Sequence, residues 1–172
     1  MYRTLLRSAV VLSVLVLGLA ISDPGSASAK VTRTAVVGSA LGAVGSGPDP
    51  LFDKAGGFHI RHLVIEWSNF SLSGDGVVIQ GTLTSEFGGN LDKDGTGPIS
   101  GSFIVQTERD GVIWEGRSHG HLVEWMGTAV VTAQGRGPFS GKLLQLEMVE
   151  IPNPNPYLDD FALSGWILDL GR

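Results

Sequence analysis

The chain has 172 residues, and its 12 Lys and Arg against 17 Asp and Glu give a formal net charge of −5. Binding to nucleic acid needs clustered basic residues, and no window of the sequence holds such a run, so nucleic acid is excluded as a partner. The chain has no cysteine, which excludes disulfides, thiolate metal sites and cysteine nucleophiles.

Residues 1–29 have the three parts of a cleavable signal peptide. Two arginines precede an apolar run over residues 9–21, and a small-residue site ending at Ala29 follows it. The uncharged stretch of residues 8–22 would span roughly 22 Å as a helix, which is less than the ~30 Å hydrocarbon core of a bilayer. The sequence therefore predicts cleavage near Ala29 and a secreted, periplasmic or cell-envelope protein without a membrane span.

Residues 30–57 are predicted to form a strand or a flexible segment. A strand pattern over residues 31–37 precedes a stretch of Gly, Ala, Ser and Pro that reaches residue 57. Small residues offer little side chain to bury against the entropy of ordering. We therefore expect a linker or long loop after residue 37, with the folded domain over residues 58–172.

Glycine punctuates the remaining sequence, and short runs rich in Val, Ile, Leu, Thr and aromatic residues lie between the glycines, a pattern typical of strands and turns. Seven further strands are predicted at residues 58–69, 76–86, 99–108, 112–118, 119–133, 139–149 and 161–170. Apolar and polar residues alternate in the second and third of these, so one face is dry and the other wet. The pattern predicts an all-β protein with a single antiparallel β-barrel of seven or eight strands, mostly a meander.

Residues 133–142 read Ala-Gln-Gly-Arg-Gly-Pro-Phe-Ser-Gly-Lys. This segment resembles the Gly-x-Gly-x-Phe-x-Gly turn and strand of dirigent and allene-oxide-cyclase-like barrels, and the resemblance covers mainly residues 127–171. It implies a secreted bacterial barrel with a central apolar cavity. The resemblance implies no activity for this chain, because no stretch of the sequence matches the catalytic or radical-steering residues of that group.

Four tryptophans fall one to a predicted strand. Large rings fill small barrels, so core packing is the first explanation for them, with cavity lining and an exposed carbohydrate or partner platform as alternatives. His62 and Glu66 share a strand face with Ile60 and Val64, which places them either in a cavity as polar handles or on the solvated exterior. The residues predicted to bind a ligand are Trp67, His62, Glu66, Trp114, His121 and Trp125.

His119 and His121 project from one face of a strand and could share a metal ion, but two ligands do not make a site. The alternative is a pair of histidines on the surface or near a loop. The segment that starts at Asp92 resembles the first eight positions of an EF-hand loop, but Phe103 stands where the bidentate Glu is needed, so a polar hairpin turn is predicted. We therefore predict no metal site and no cofactor.

No catalytic residues are predicted, since the sequence has no Gly-x-Ser-x-Gly elbow and no distinct carboxylate pair. The leading interpretation is an exported, non-catalytic barrel that binds a small, mostly apolar molecule. One alternative is a structural or protein-interaction module of the cell envelope, with a proline-punctuated loop at residues 152–157 as a contact and no identified protein partner. The other is an enzyme, either cyclase-like or isomerase-like or dependent on a metal bound by His119 and His121.

Overall fold

The computed structural model describes residues 30–47, 51–52, 56–152 and 159–171. The predicted signal peptide and most of the predicted proline loop lie outside the described residues. Within them, no helix is long and apolar enough to cross a bilayer. The described elements are one short 3₁₀ turn at Gly137–Phe139 and nine strands: β1 Thr32–Ser46, β2 Leu51–Phe52, β3 Phe58–Gly74, β4 Val77–Leu91, β5 Gly97–Thr107, β6 Gly111–Val123, β7 Met126–Gly135, β8 Lys142–Ile151 and β9 Asp160–Asp169.

The eight longer strands form one closed antiparallel barrel. From β3 to β9 each strand pairs with the next along the chain, and β1 pairs with both β9 and β3. The two-residue strand β2 pairs only with the beginning of β3. These pairings confirm the predicted fold class, an all-β protein built as a single meander barrel.

β1 runs through much of the small-residue segment in which the sequence suggested a linker or long loop. Val36, Ala40 and Ala43 point inward from β1 and are buried. A Cβ atom at Gly38 would collide with the carbonyl oxygen of Ser71 on β3. Small residues are therefore needed here because the backbones of β1 and β3 approach closely, and the barrel includes residues before Phe58.

The core fills the end of the barrel at which β3 turns into β4, β5 into β6, and β7 into β8. Trp114 on β6 is fully buried, and its ring lies 4.9 Å from that of Phe139. Nearer the middle, Phe70 and Phe103 pack edge to face with ring centroids 6.4 Å apart. Other fully buried residues include Leu72, Leu83, Val105, Ile113, Val131 and Leu144. Each such side chain stabilises the fold by roughly 1.5–3 kcal/mol through burial.

Two irregularities in β3 change which residues face inward. The register with β4 shifts between Ile60 and Leu63, where His62 has a φ of 52°, and again between Trp67 and Phe70. The first bulge brings Ile60 onto the inner face together with Leu63, Ile65 and Trp67. The prediction that His62 and Glu66 share a strand face with Ile60 was therefore wrong.

The turn between β6 and β7 also differs from the prediction. The sequence suggested a break between residues 118 and 119, but β6 continues to Val123 and the turn consists of Glu124 and Trp125. Both turn residues have positive φ angles, 51° and 68°. Such tight hairpin turns favour Asn, Asp or Gly, so the sequence contains no local signal for a turn here.

Candidate functional site

The end of the barrel opposite the filled core holds a cavity of about 360 Å³. Four inward positions of β6 and β7 at this end are small: Ser118, Gly120, Gly127 and Ala129. Short side chains cannot reach across the barrel to the residues of β3, β4 and β9, so a space is left between them. The larger residues around this space are mostly apolar: Ile60, Leu63, Ile65, Trp67, Leu83, Phe87, Ile99, Phe103, Leu122, Trp125, Met148 and Phe161.

Trp67 forms part of the cavity wall and is only 4% exposed. Its indole Nε1–H donates a hydrogen bond of 2.7 Å to the backbone oxygen of Asp159. Its ring packs edge to face against Phe161, with centroids 5.8 Å apart. A buried indole N–H usually has a hydrogen-bond partner, and this bond fixes the beginning of β9 against β3.

Trp125 lies at the cavity mouth and is 45% exposed. Its ring meets Phe58 edge to face with centroids 4.8 Å apart. Its backbone N–H donates to the oxygen of Gly95 at 3.2 Å, and the N–H of Glu124 donates to Thr96 Oγ1 at 3.0 Å. The β6–β7 turn is therefore anchored on the β4–β5 turn, which holds the indole ring in place.

Two carboxyl groups, Glu150 and Asp159, also line the cavity. Burial raises the pKa of Glu150, the nearby Asp159 raises it further, and the Gly127 N–H, which donates to Glu150 Oε2 at 2.5 Å, acts in the opposite direction. Burial, with a smaller contribution from Asp160, raises the pKa of Asp159. Carboxyl groups in such surroundings can hold a cation or keep a proton to a higher pH than an exposed carboxyl group does.

Sequence reasoning missed this pair, although the alternation contains a signal for it. Leu144, Leu146 and Met148 are the buried residues of β8, and Glu150 is the next residue on that face. Asp159 precedes Phe161 and the buried Leu163 at intervals of two residues, so it continues the same face of β9. A carboxylate that continues a dry face indicates a group turned toward the interior.

The six residues predicted to bind a ligand do not come together. Trp67 and Trp125 line the cavity, whereas Trp114 is buried in the filled end. His62, Glu66 and His121 are exposed on the barrel exterior, which was the alternative location predicted for the first two. The bulge in β3 turns His62 outward, where its Nδ1 lies 2.5 Å from Glu86 Oε1.

Trp166 lies on the outer face of β9 and is 45% exposed, so core packing does not account for it. The inward neighbour Ile167 fills the core position instead. The core explanation therefore applies to Trp67 and Trp114 and is wrong for Trp166.

In the two segments considered for metal binding, the candidate ligands do not line the cavity. The side chains of His119 and His121 are exposed. Asp92 Oδ1 accepts hydrogen bonds from the backbone N–H groups of Asp94 and Thr96, both at 2.9 Å, as in a polar turn. Across the described ranges, no group of three or more His, Cys, Asp or Glu side chains is placed to hold a metal ion.

No protein family model, curated protein or solved structure matches the chain. The resemblance to dirigent and allene-oxide-cyclase-like barrels stays a prediction from residues 127–171.

Proposed function

We propose that this protein is an exported, non-catalytic β-barrel that binds a small, mostly apolar molecule in the cavity at the open end. Export rests on the signal-peptide pattern of residues 1–29. Binding rests on one observation, an apolar cavity of about 360 Å³ inside a barrel whose other end is filled. This volume lies within the range of about 300–1,000 Å³ that small-molecule sites occupy.

The cavity volume limits the size and affinity of the molecule. A water molecule occupies about 30 Å³ in the liquid. If each non-hydrogen atom of a ligand takes a similar volume, the cavity holds roughly a dozen such atoms. Burying a chain of about ten carbons contributes about 8 kcal/mol at 0.8 kcal/mol for each CH₂ group. Association itself costs at least about 4 kcal/mol. The difference of at most about 4 kcal/mol corresponds to a dissociation constant of about one millimolar or weaker for a simple apolar probe.

Filling the cavity with a side chain tests the proposal. Ala129→Phe places a ring in the space between β7 and the opposite wall, and 1-decanol serves as the probe in isothermal titration calorimetry. Val130→Phe is the matched control, because the 62% exposed Val130 is the next residue of the same strand and points outward. We expect Ala129→Phe to weaken decanol binding at least about tenfold and Val130→Phe to leave it unchanged.

Circular dichroism and the thermal midpoint establish that each variant is folded. If Ala129→Phe does not fold, Ser118→Leu fills the same space from β6. Decanol binding of parental strength in a folded, cavity-filled variant would overturn the proposed site.

A further inference from the structure

The charged groups around the cavity all have the same sign. Glu150 and Asp159 line it, and no Lys, Arg or His is found among the described lining residues. Neither carboxylate forms an ion pair with a basic side chain in the part of the chain that the structure describes; the ion pairs found there involve other carboxylates. Two partly buried carboxylates therefore face the cavity without a countercharge from these residues.

The buried hydroxyl group at the cavity wall is also placed to accept a hydrogen bond from a bound molecule. Ser85 is 8% exposed, and its Oγ–H donates to the backbone oxygen of Ser102 at 2.6 Å. With its proton committed to that bond, the Ser85 oxygen offers only lone pairs to a bound molecule. Ser85 and the two carboxylates thus offer acceptors to a bound molecule, which favours a molecule that donates hydrogen bonds.

The aromatic rings add to the same preference. Trp67, Phe87 and Phe161 line the cavity together with the two carboxylates. Aromatic rings attract ammonium groups, and the attraction increases when water is excluded. Burial raises the pKa of both Glu150 and Asp159, which indicates that the surrounding residues do not fully compensate their ionised forms. A bound cation would supply that compensation.

We infer that the ligand is an amphiphilic amine, with its apolar part in the cavity and its protonated amino group beside Glu150 and Asp159 at the mouth. This inference rests on the proposed function and names the class of molecule that the site takes. The size limit of roughly a dozen non-hydrogen atoms applies to the whole molecule.

Three probes with the same apolar chain and different head groups test the inference: n-decylamine, 1-decanol and decanoate, each titrated into the purified protein at neutral pH. We expect decylamine to bind at least about tenfold more tightly than decanol, as a charge-assisted hydrogen bond requires. Decanoate should bind most weakly, because its charge is the same as that of the site.

The double variant Glu150→Gln and Asp159→Asn should lose the preference for the amine and keep decanol binding. Both substitutions preserve shape, and the amide oxygen introduced at position 150 can still accept from the Gly127 N–H. Glu147→Gln is the matched control: it removes the same charge from the exposed face of β8 and should leave the preference intact. The two single variants replace the double variant if it does not fold.

The result separates the two proposals. Equal affinities for decylamine and decanol, or an amine preference that persists in the double variant, would overturn the inference while decanol binding upholds the proposed function. If no probe binds, or if binding persists in the folded Ala129→Phe protein, the proposed function fails as well.

Discussion

Substituting Gly95 should loosen the tryptophan at the cavity mouth. Gly95 has a φ of 76°, and a Cβ atom there would collide with the ring of Trp125. In Gly95→Ala the ring must therefore move away from the β4–β5 turn, and its contact with Phe58 is lost. The variant tests whether the packing around Trp125 stabilises the open end of the barrel.

Two contributions determine the size of the effect. An alanine in the left-handed region costs about 1–2 kcal/mol relative to glycine. Because Trp125 is 45% exposed, it buries on the order of 100 Å², which is worth about 2.5 kcal/mol at 25 cal/mol per Å². Losing half of this burial and the edge-to-face contact adds about 1–3 kcal/mol. We expect a total loss of about 2–5 kcal/mol for Gly95→Ala.

Gly141→Ala provides the matched control. Gly141 has a similar φ of 82°, and nothing lies within 4 Å of a Cβ atom placed there. Its substitution should therefore cost only the backbone term of about 1–2 kcal/mol. Urea unfolding followed by circular dichroism gives both free energies, with equal m-values as the condition for comparing them. Equal losses in the two variants, within about 0.5 kcal/mol, would refute the role given to Trp125.

Three further substitutions test the core, the cavity carboxylate and the surface. Phe103→Ala should lower the free energy of unfolding by about 3–5 kcal/mol in a urea titration, since the ring is buried against Phe70; a loss below about 1 kcal/mol would contradict this packing. Burial raises the pKa of Glu150, so the carboxyl group of Glu150 binds its proton more tightly in the folded state than in the unfolded chain. The stability of the wild-type protein therefore falls as the pH rises above the ordinary pKa of a glutamate. Glu150→Gln should consequently gain stability relative to wild type as the pH rises above 4.5, the ordinary pKa of a glutamate, and titrations showing the opposite trend would contradict that reasoning. Arg136→Gln removes the 3.0 Å ion pair with Glu115, in which both side chains are about half exposed. This substitution should change the unfolding free energy by less than about 1 kcal/mol at any salt concentration.

The strand pattern predicts the barrel because most strands alternate regularly between apolar and polar residues. It fails where the alternation breaks. The bulge at His62 inserts an extra residue into β3, and no local sequence feature predicts it. The turn at Glu124 and Trp125 lacks the residue types that favour positive φ. In the turn, contacts of Trp125 with Phe58 and Gly95 offset the local strain, and such contacts between distant segments are not visible in sequence.

The candidate site could be predicted only in part. Trp67 and Trp125 were identified as aromatic residues suited to a cavity, but which end of the barrel is hollow depends on small residues that face each other across strands. Glu150 and Asp159 are separated by a segment that the sequence marks only as a proline-rich loop. Antiparallel pairing of β8 with β9 brings the end of one strand beside the beginning of the next, and this geometry places the two carboxylates at one mouth.

The position of β1 has a consequence for how the molecule is made. Thr32 pairs with Asp169, so the first strand of the described barrel takes its last strand as one of its two neighbours. Until β9 is complete, the growing sheet has two open edges, and open edges are templates for pairing with other chains. Pairing across nearly the whole chain is also a slow step, because the entropy of closing so long a loop must be overcome. The risk of aggregation is therefore greatest before β9 pairs with β1, and this one ladder of backbone hydrogen bonds removes both open edges.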